Sequence, residues 1–162
     1  MQSIDYLGCC FCSSCIIGLL ALDFFSYDLG FLKMKTFESA KELKDLAPWK
    51  ERETVVFLSD FGLADGAVSA MRGVADDVCH SLRLEDLTHE IPQFNIWEAS
   101  YRLIQAMTYW AAGTVFVSVV DPGVGSERES VAVLTKSGHV IVSPDNGTLS
   151  HVAREIGILE RR

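Results

Sequence analysis

The stretch Thr114 to Gly125 reads TVFVSVVDPGVG, and its reading decides the fold. From Thr114 to Val120 the run is almost wholly apolar and rich in β-branched residues. A strand with one wet face would alternate polar and apolar residues; a strand covered on both faces would not. Covering both faces takes helices on both sides of a sheet, and such a sheet is largely parallel. The run stops at Asp121-Pro122-Gly123, where Pro and Gly mark a turn.

Working outward, strand and helix patterns alternate. Thr54–Ser59 (TVVFLS) is a short β-rich run. Residues 65–79 are helix-like, with Val68, Met71, Val74 and Val78 on one face. Residues 82–87 read as a second strand. Residues 95–112 read as a long helix, with Ile96, Ala99, Leu103, Ala106 and Met107 inward and Gly113 as its stop. Residues 130–134 and 140–143 read as strands turned at Ser137-Gly138, and residues 148–156 as a final helix. The expectation is an α/β domain: a three-layer sandwich with a largely parallel central sheet flanked by helices.

Composition narrows the function. Of 162 residues, 49% are hydrophobic, 22% are charged and 4 are proline, which argues for one globular domain rather than disorder. The net charge of −8 argues against nucleic acid, which asks for clustered Lys and Arg. It leaves a cationic small molecule open.

The N-terminal third reads differently. Residues 6–22 carry no charge, and at 17 residues they sit on the lower edge of a membrane span. The residues before them lack the Lys or Arg of a signal peptide. A weak anchor, an atypical signal and upstream sequence foreign to the native protein all stay open. The favoured reading divides the chain into an apolar, Cys-rich leader (1–33) that is not native, a short helix and linker (34–53), and a catalytic domain (54–162). Met34 is then the expected start. Ser39 with Glu42 forms a capping-box pattern and Pro48 ends that helix. The expected location is cytoplasmic, with a membrane anchor through residues 6–22 as the alternative. Cys9, Cys10, Cys12, Cys15 and Cys79 have neither disulfide spacing nor a second pair for zinc.

In open α/β sheets, ligands bind beyond the carboxyl ends of the strands. Four polar clusters fall there: Ser59–Gly62, Asp86–Glu90, Asp121–Arg128 and Ser143–Gly147. Asp121 ends a buried strand, where a carboxylate needs partners, and Arg128 could return to pair with it. The plainer reading is a turn carboxylate beside a surface Arg. Asp60 could accept both hydroxyls of a ribose, or simply satisfy backbone amides. His89 near Asp86 could be a base or a metal ligand, but a structural hydrogen bond is commoner. Phe94 and Trp97 could stack on a purine, although core packing is the usual answer; Tyr109 and Trp110 read as packing. Asp145-Asn146-Gly147 reads as a turn with Gly at positive φ. The phosphate-binding Gly-x-Gly-x-x-Gly and Walker patterns are absent from the sequence.

Taken in order, the motifs are distinctive. Ser59-Asp60-Phe61-Gly62, Asp86-x-Thr88-His89-Glu90-Ile91, Val119-Val120-Asp121-Pro122-Gly123-Val124-Gly125-x-x-Arg128 and Pro144-Asp145-Asn146-Gly147 together resemble the SAM hydroxide adenosyltransferase family. Its members, SAM hydrolases that form adenosine, are relatives of fluorinase and chlorinase. The resemblance covers roughly residues 54–158. It implies that water or hydroxide attacks C5′ of S-adenosyl-L-methionine, giving adenosine and L-methionine. It implies catalytic roles for Asp121 and Arg128, which with a His position the attacking water. It implies that Asp60 grips the ribose and that Phe94 lies beside the substrate. The halogenases lack this Asp, so the chain resembles the water-using branch. The resemblance further implies no metal and no cofactor, S-adenosyl-L-methionine being the substrate, and a homotrimer with sites between subunits. The family's His and its β-rich C-terminal domain match nothing here, so the chain is expected to be truncated after its first domain. Neither His89, His139 nor His151 sits in the His motif. Two other readings stand beside this one: an inactive remnant that binds adenosine or S-adenosylmethionine, and a metal-dependent hydrolase using Asp60, Asp86, His89 and Asp121.

Overall fold

The computed structural model describes residues 53–161. The leader, the expected helix before Pro48 and four of the five cysteines lie outside the described residues. Strand β1 (Thr54–Ser59) leads to helix α1 (Ala67–Val78), then β2 (Arg83–Thr88) and α2 (Ile96–Met107). Strands β3 (Val115–Val119), β4 (Ser130–Thr135) and β5 (Val140–Pro144) follow, then α3 (Ser150–Glu155) and β6 (Ile158–Arg161).

The strands form one six-stranded sheet in the order β2-β1-β3-β5-β4-β6. Strand β1 runs parallel to β2 and β3, and β3 parallel to β5. Strand β4 is antiparallel to both β5 and β6. The sheet is therefore mixed, with its parallel half holding the N-terminal strands.

Alternation along β1 builds the layers. Val55 and Phe57 face α1, packing with Met71, Ala75, Val117 and Val119. Val56 faces the other way, packing with Leu103 and Met107 of α2, Val152 of α3, and Phe116 and Ile141 of the sheet. Successive strand residues point to opposite faces, so one apolar strand serves two cores. Each such large side chain contributes about 1.5–3 kcal/mol on burial. The three expected layers are present: α1, the sheet, and α2 with α3.

Three boundaries differ from the sequence reading. In α1 the buried face is Val68, Met71 and Ala75, while Val74 and Val78 are only half-buried. Helix α2 stops at Met107 rather than at residue 112. Trp110 turns inward instead, its ring edge-on to Phe116 at 6.4 Å. Its carbonyl accepts from His139 Nε2 at 3.0 Å, and Thr114 N donates to the Ala111 carbonyl at 3.2 Å. Those bonds replace the ones that a longer helix would have made. Gly113, at φ 91°, closes the connecting loop. Helix α3 is also short, because Gly157 at φ 91° turns the chain into β6, a strand the sequence pattern did not announce. Among the described residues, no helix is long and apolar enough to cross a membrane.

His139 is buried, held between Ser137 Oγ (2.8 Å from Nδ1) and the Trp110 carbonyl. Burial lowers its pKa below the ordinary 6.5, against the opposing pull of the Trp110 and Ala111 carbonyls. The unfolded chain therefore takes up the proton first as pH falls. Its contribution to stability is whole above about pH 6.5 and is lost as pH falls through the folded value. Thermal melts should show this acid-side loss. His139→Gln keeps an N–H for Trp110 but cannot protonate, so it should lose less stability between about pH 7 and about pH 5.5.

Candidate active site

Strand order reverses at β1, whose neighbours β2 and β3 lie on opposite sides. Such a reversal opens a crevice beyond the carboxyl ends of the two diverging strands. Ser59 pairs with Val119 there, so Asp60 and Asp121 leave the sheet at the same edge. The topology, rather than any local motif, brings these two positions to the same end of neighbouring strands.

Asp121 is nearly buried, its side chain 9% exposed. Its Oδ1 accepts from Gly123 N at 2.9 Å, which closes the Asp-Pro-Gly turn. The chain then loops back, and Arg128 Nη1 donates to the same oxygen. A charge-assisted bond of this kind compensates a carboxylate that has lost its water. Gly123 leaves room for this contact, since a Cβ there would come within 2.5 Å of the Arg128 guanidinium.

Behind Asp121, Asn146 locks the end of β3. Its Nδ2 donates to the Val120 carbonyl at 2.8 Å. Its Oδ1 accepts from Thr148 N (3.1 Å) and Thr148 Oγ1 (2.6 Å). The Asp145–Gly147 segment is the expected turn, with Gly147 at φ 100°. The reach of Asn146 to Val120 was missed, since nothing local in Asn-Gly-Thr points to a carbonyl 26 residues away.

Asp60 Oδ2 accepts from Phe94 N at 2.7 Å. Phe94 is the one non-glycine residue at positive φ (64°) among those described, and its ring is 52% exposed. Asn95 follows as the cap of α2, accepting from Glu98 N at 3.0 Å. Asp60 thus holds an unfavourable backbone conformation that presents an aromatic ring to solvent. Its other oxygen, Oδ1, meets no described donor.

The other candidates are placed elsewhere. His89 is buried, its Nδ1 2.7 Å from Ser59 Oγ and its Nε2 3.1 Å from Asp86 Oδ1. His151 Nδ1 meets Ser100 Oγ at 2.8 Å, and His80 lies 3.1 Å from Asp76. No described histidine pairs with Asp121. Of the four residues weighed as metal ligands, His89 and Asp86 meet each other while Asp60 and Asp121 are engaged elsewhere, and no group of three or more His, Cys, Asp or Glu gathers among the described residues. Trp97 and Tyr109 are not in the core: they are 63% and 90% exposed. Trp97 lies on the outer face of α2, stacked on Tyr101 at 5.6 Å, opposite the buried Ala99 and Leu103.

Comparison with known proteins gives one consistent picture. The family described as SAM hydroxide adenosyltransferase N-terminal domain matches residues 55–161. A relative from Methanocaldococcus jannaschii, named (R)-S-adenosyl-L-methionine hydrolase, is 39% identical over 110 residues. That match takes in 65% of this chain and 41% of the relative. A fluorinase from Actinopolyspora mzabensis is 24% identical over 131 residues, covering 67% of this chain and 44% of its own. An uncharacterized conserved protein from Thermotoga maritima superposes with a TM-score of 0.66 at 39% identity, over 67% of this chain and 41% of that one. The chain thus spans about two fifths of the length of these relatives.

Gly123→Ala tests the Asp121–Arg128 contact directly. The crowded atoms are the far end of a flexible side chain, so stability should stay within about 0.5 kcal/mol of wild type. The guanidinium should leave Asp121, read as a shift of the Arg128 side-chain resonances toward those of a solvated arginine. Unmoved resonances would mean that the loop absorbs the methyl group.

Proposed function

The chain belongs to the SAM hydroxide adenosyltransferase family through its N-terminal domain, and on that premise we propose that it supplies the water-positioning half of a site hydrolysing S-adenosyl-L-methionine. Water attacks C5′ in line with the C5′–S bond. That bond breaks with its electron pair going to sulfur, so the sulfonium leaves as the neutral thioether of L-methionine. The water keeps its oxygen on C5′ and releases a proton to bulk solvent, and the other product is adenosine. The leaving group needs no acid, so the demand falls on the nucleophile.

Asp121 accepts a hydrogen bond from the water and Arg128 holds Asp121 in place. Asp60 offers its open Oδ1 to the ribose hydroxyls, and the Phe94 ring lies against the substrate. A site shielded from water strengthens the attraction between a hydroxide-like nucleophile and a cationic substrate. The observation that carries this reading is the nearly buried Asp121 with Arg128 upon it, leaving the sheet beside Asp60 where strand order reverses. The hydrolase names of the more similar relatives support the water-using branch. The reading includes the family's His and β-rich domain completing the site, a homotrimer, a cytoplasmic location, and no metal or cofactor.

Incubation with S-adenosyl-L-methionine and chromatography of the products tests it. Asp121→Ala should cut adenosine release by about 100-fold or more. If residues 1–162 release no adenosine but a version extended through the family's C-terminal half does, that half supplies the remaining groups. No adenosine from either would refute the assignment. Phe94→Gly separates function from stability. Glycine accepts positive φ without strain, so melting should hold or rise, while adenosine affinity falls by about 10-fold with the lost stacking surface. A less stable protein with unchanged affinity would make Phe94 merely structural.

A further inference from the structure

A chain of polar side chains runs from Ser59, at the end of β1, through His89 to Asp86 and Arg72. Ser59 is fully buried, and its Oγ lies 2.7 Å from His89 Nδ1. His89 Nε2 lies 3.1 Å from Asp86 Oδ1, which is also 3.2 Å from Arg72 Nε; both contacts are off the hydrogen-bond axis. Arg72 Nη2 donates to the Leu84 carbonyl at 3.1 Å. The connectivity is that of a Ser-His-Asp triad, but a hydroxyl with no exposed surface cannot attack a substrate.

The directions of these bonds suggest another use. Phe61 N donates to Ser59 Oγ at 3.3 Å, so the Ser59 hydroxyl is free to donate to His89 Nδ1. In that tautomer the imidazole N–H is at Nε2, on the Asp86 side, and the Ser59–His89 bond is the aligned link of the chain. The main chain repeats the tie, since Gly62 N donates to the His89 carbonyl at 2.7 Å. Asp60 lies between the two anchored residues, and its carboxylate in turn holds Phe94 N.

We propose that His89 and Ser59 are positioning residues: they pin the Asp60-Phe61-Gly62 turn to the loop between β2 and α2, and so aim the Asp60 carboxylate. The proposal rests on the reading of Asp60 as the ribose grip, and its test keeps the two apart. Adenosine and 2′-deoxyadenosine are titrated into the full chain by calorimetry, and amide exchange is followed at Phe61 and Gly62. Wild type should prefer adenosine by at least about 10-fold. Ser59→Ala removes the hydroxyl, and His89→Gln removes the acceptor at the Nδ1 position. Both should drop the preference to about 2-fold and speed exchange at Phe61 and Gly62, while β3 amides stay protected. His89→Asn places an acceptor where Nδ1 was, and should restore both readouts. If the preference and the exchange rates survive Ser59→Ala and His89→Gln, the positioning role is wrong although the ribose grip stands. If wild type does not discriminate, the ribose reading fails. Exchange then decides the anchor alone: faster rates in those two variants and not in His89→Asn support it, and equal rates overturn it.

Discussion

Strand β3 has no free side. It is hydrogen-bonded to β1 along one edge and to β5 along the other, and cores press on both of its faces. Its carboxyl end is therefore held by neighbours on both edges and both faces, and Asp121 lies two residues beyond it. The Asn146 amide adds a further tie at the Val120 carbonyl. A carboxylate mounted there moves only if the sheet does. That rigidity suits the orientation of a small nucleophile, where a misplacement of about 1 Å can cost about 100-fold in rate.

The two carboxylates at this edge are treated in opposite ways. Asp121 is nearly buried and carries a guanidinium, so its charge is compensated within the domain. Asp60 spends one oxygen on the Phe94 amide, and its other oxygen meets no donor among the described residues. The first arrangement suits a group that must stay ionised while water is excluded. The second suits a group that must still accept hydrogen bonds from a ligand. The strained backbone at Phe94 fits the same division. A left-handed conformation at a bulky residue costs about 1–3 kcal/mol, and here it keeps an aromatic ring out of the core.

The histidines show how far residue type alone can carry an assignment. Each described one has a partner within the fold: Ser59 with Asp86, Ser137 with the Trp110 carbonyl, Ser100, or Asp76. A histidine near acids in sequence suggests a base or a ligand. Only the folded chain shows His89 turned inward, beneath the site rather than in it. The exposed Trp97 corrects the reverse error. Aromatics on an apolar helix read as core, yet Trp97 and Tyr101 occupy the face opposite Ala99 and Leu103.

The layers follow from the sequence pattern alone. The apolar run from Thr114 to Val120 demanded cover on both faces, and the alternation of runs supplied the helices to give it. The same pattern sets the turn after Asp121, since Pro and Gly act within a few residues of themselves. Which distant groups meet depends on how the whole chain folds. The reversal of strand order at β1 sets Asp60 beside Asp121 across 61 positions, Asn146 reaches Val120, and β6 exists because β4 offers it an edge. These are pairings between remote segments, and local pattern carries no record of them. Periodicity reports which face of an element is apolar; what lies against that face is settled by closing the chain upon itself.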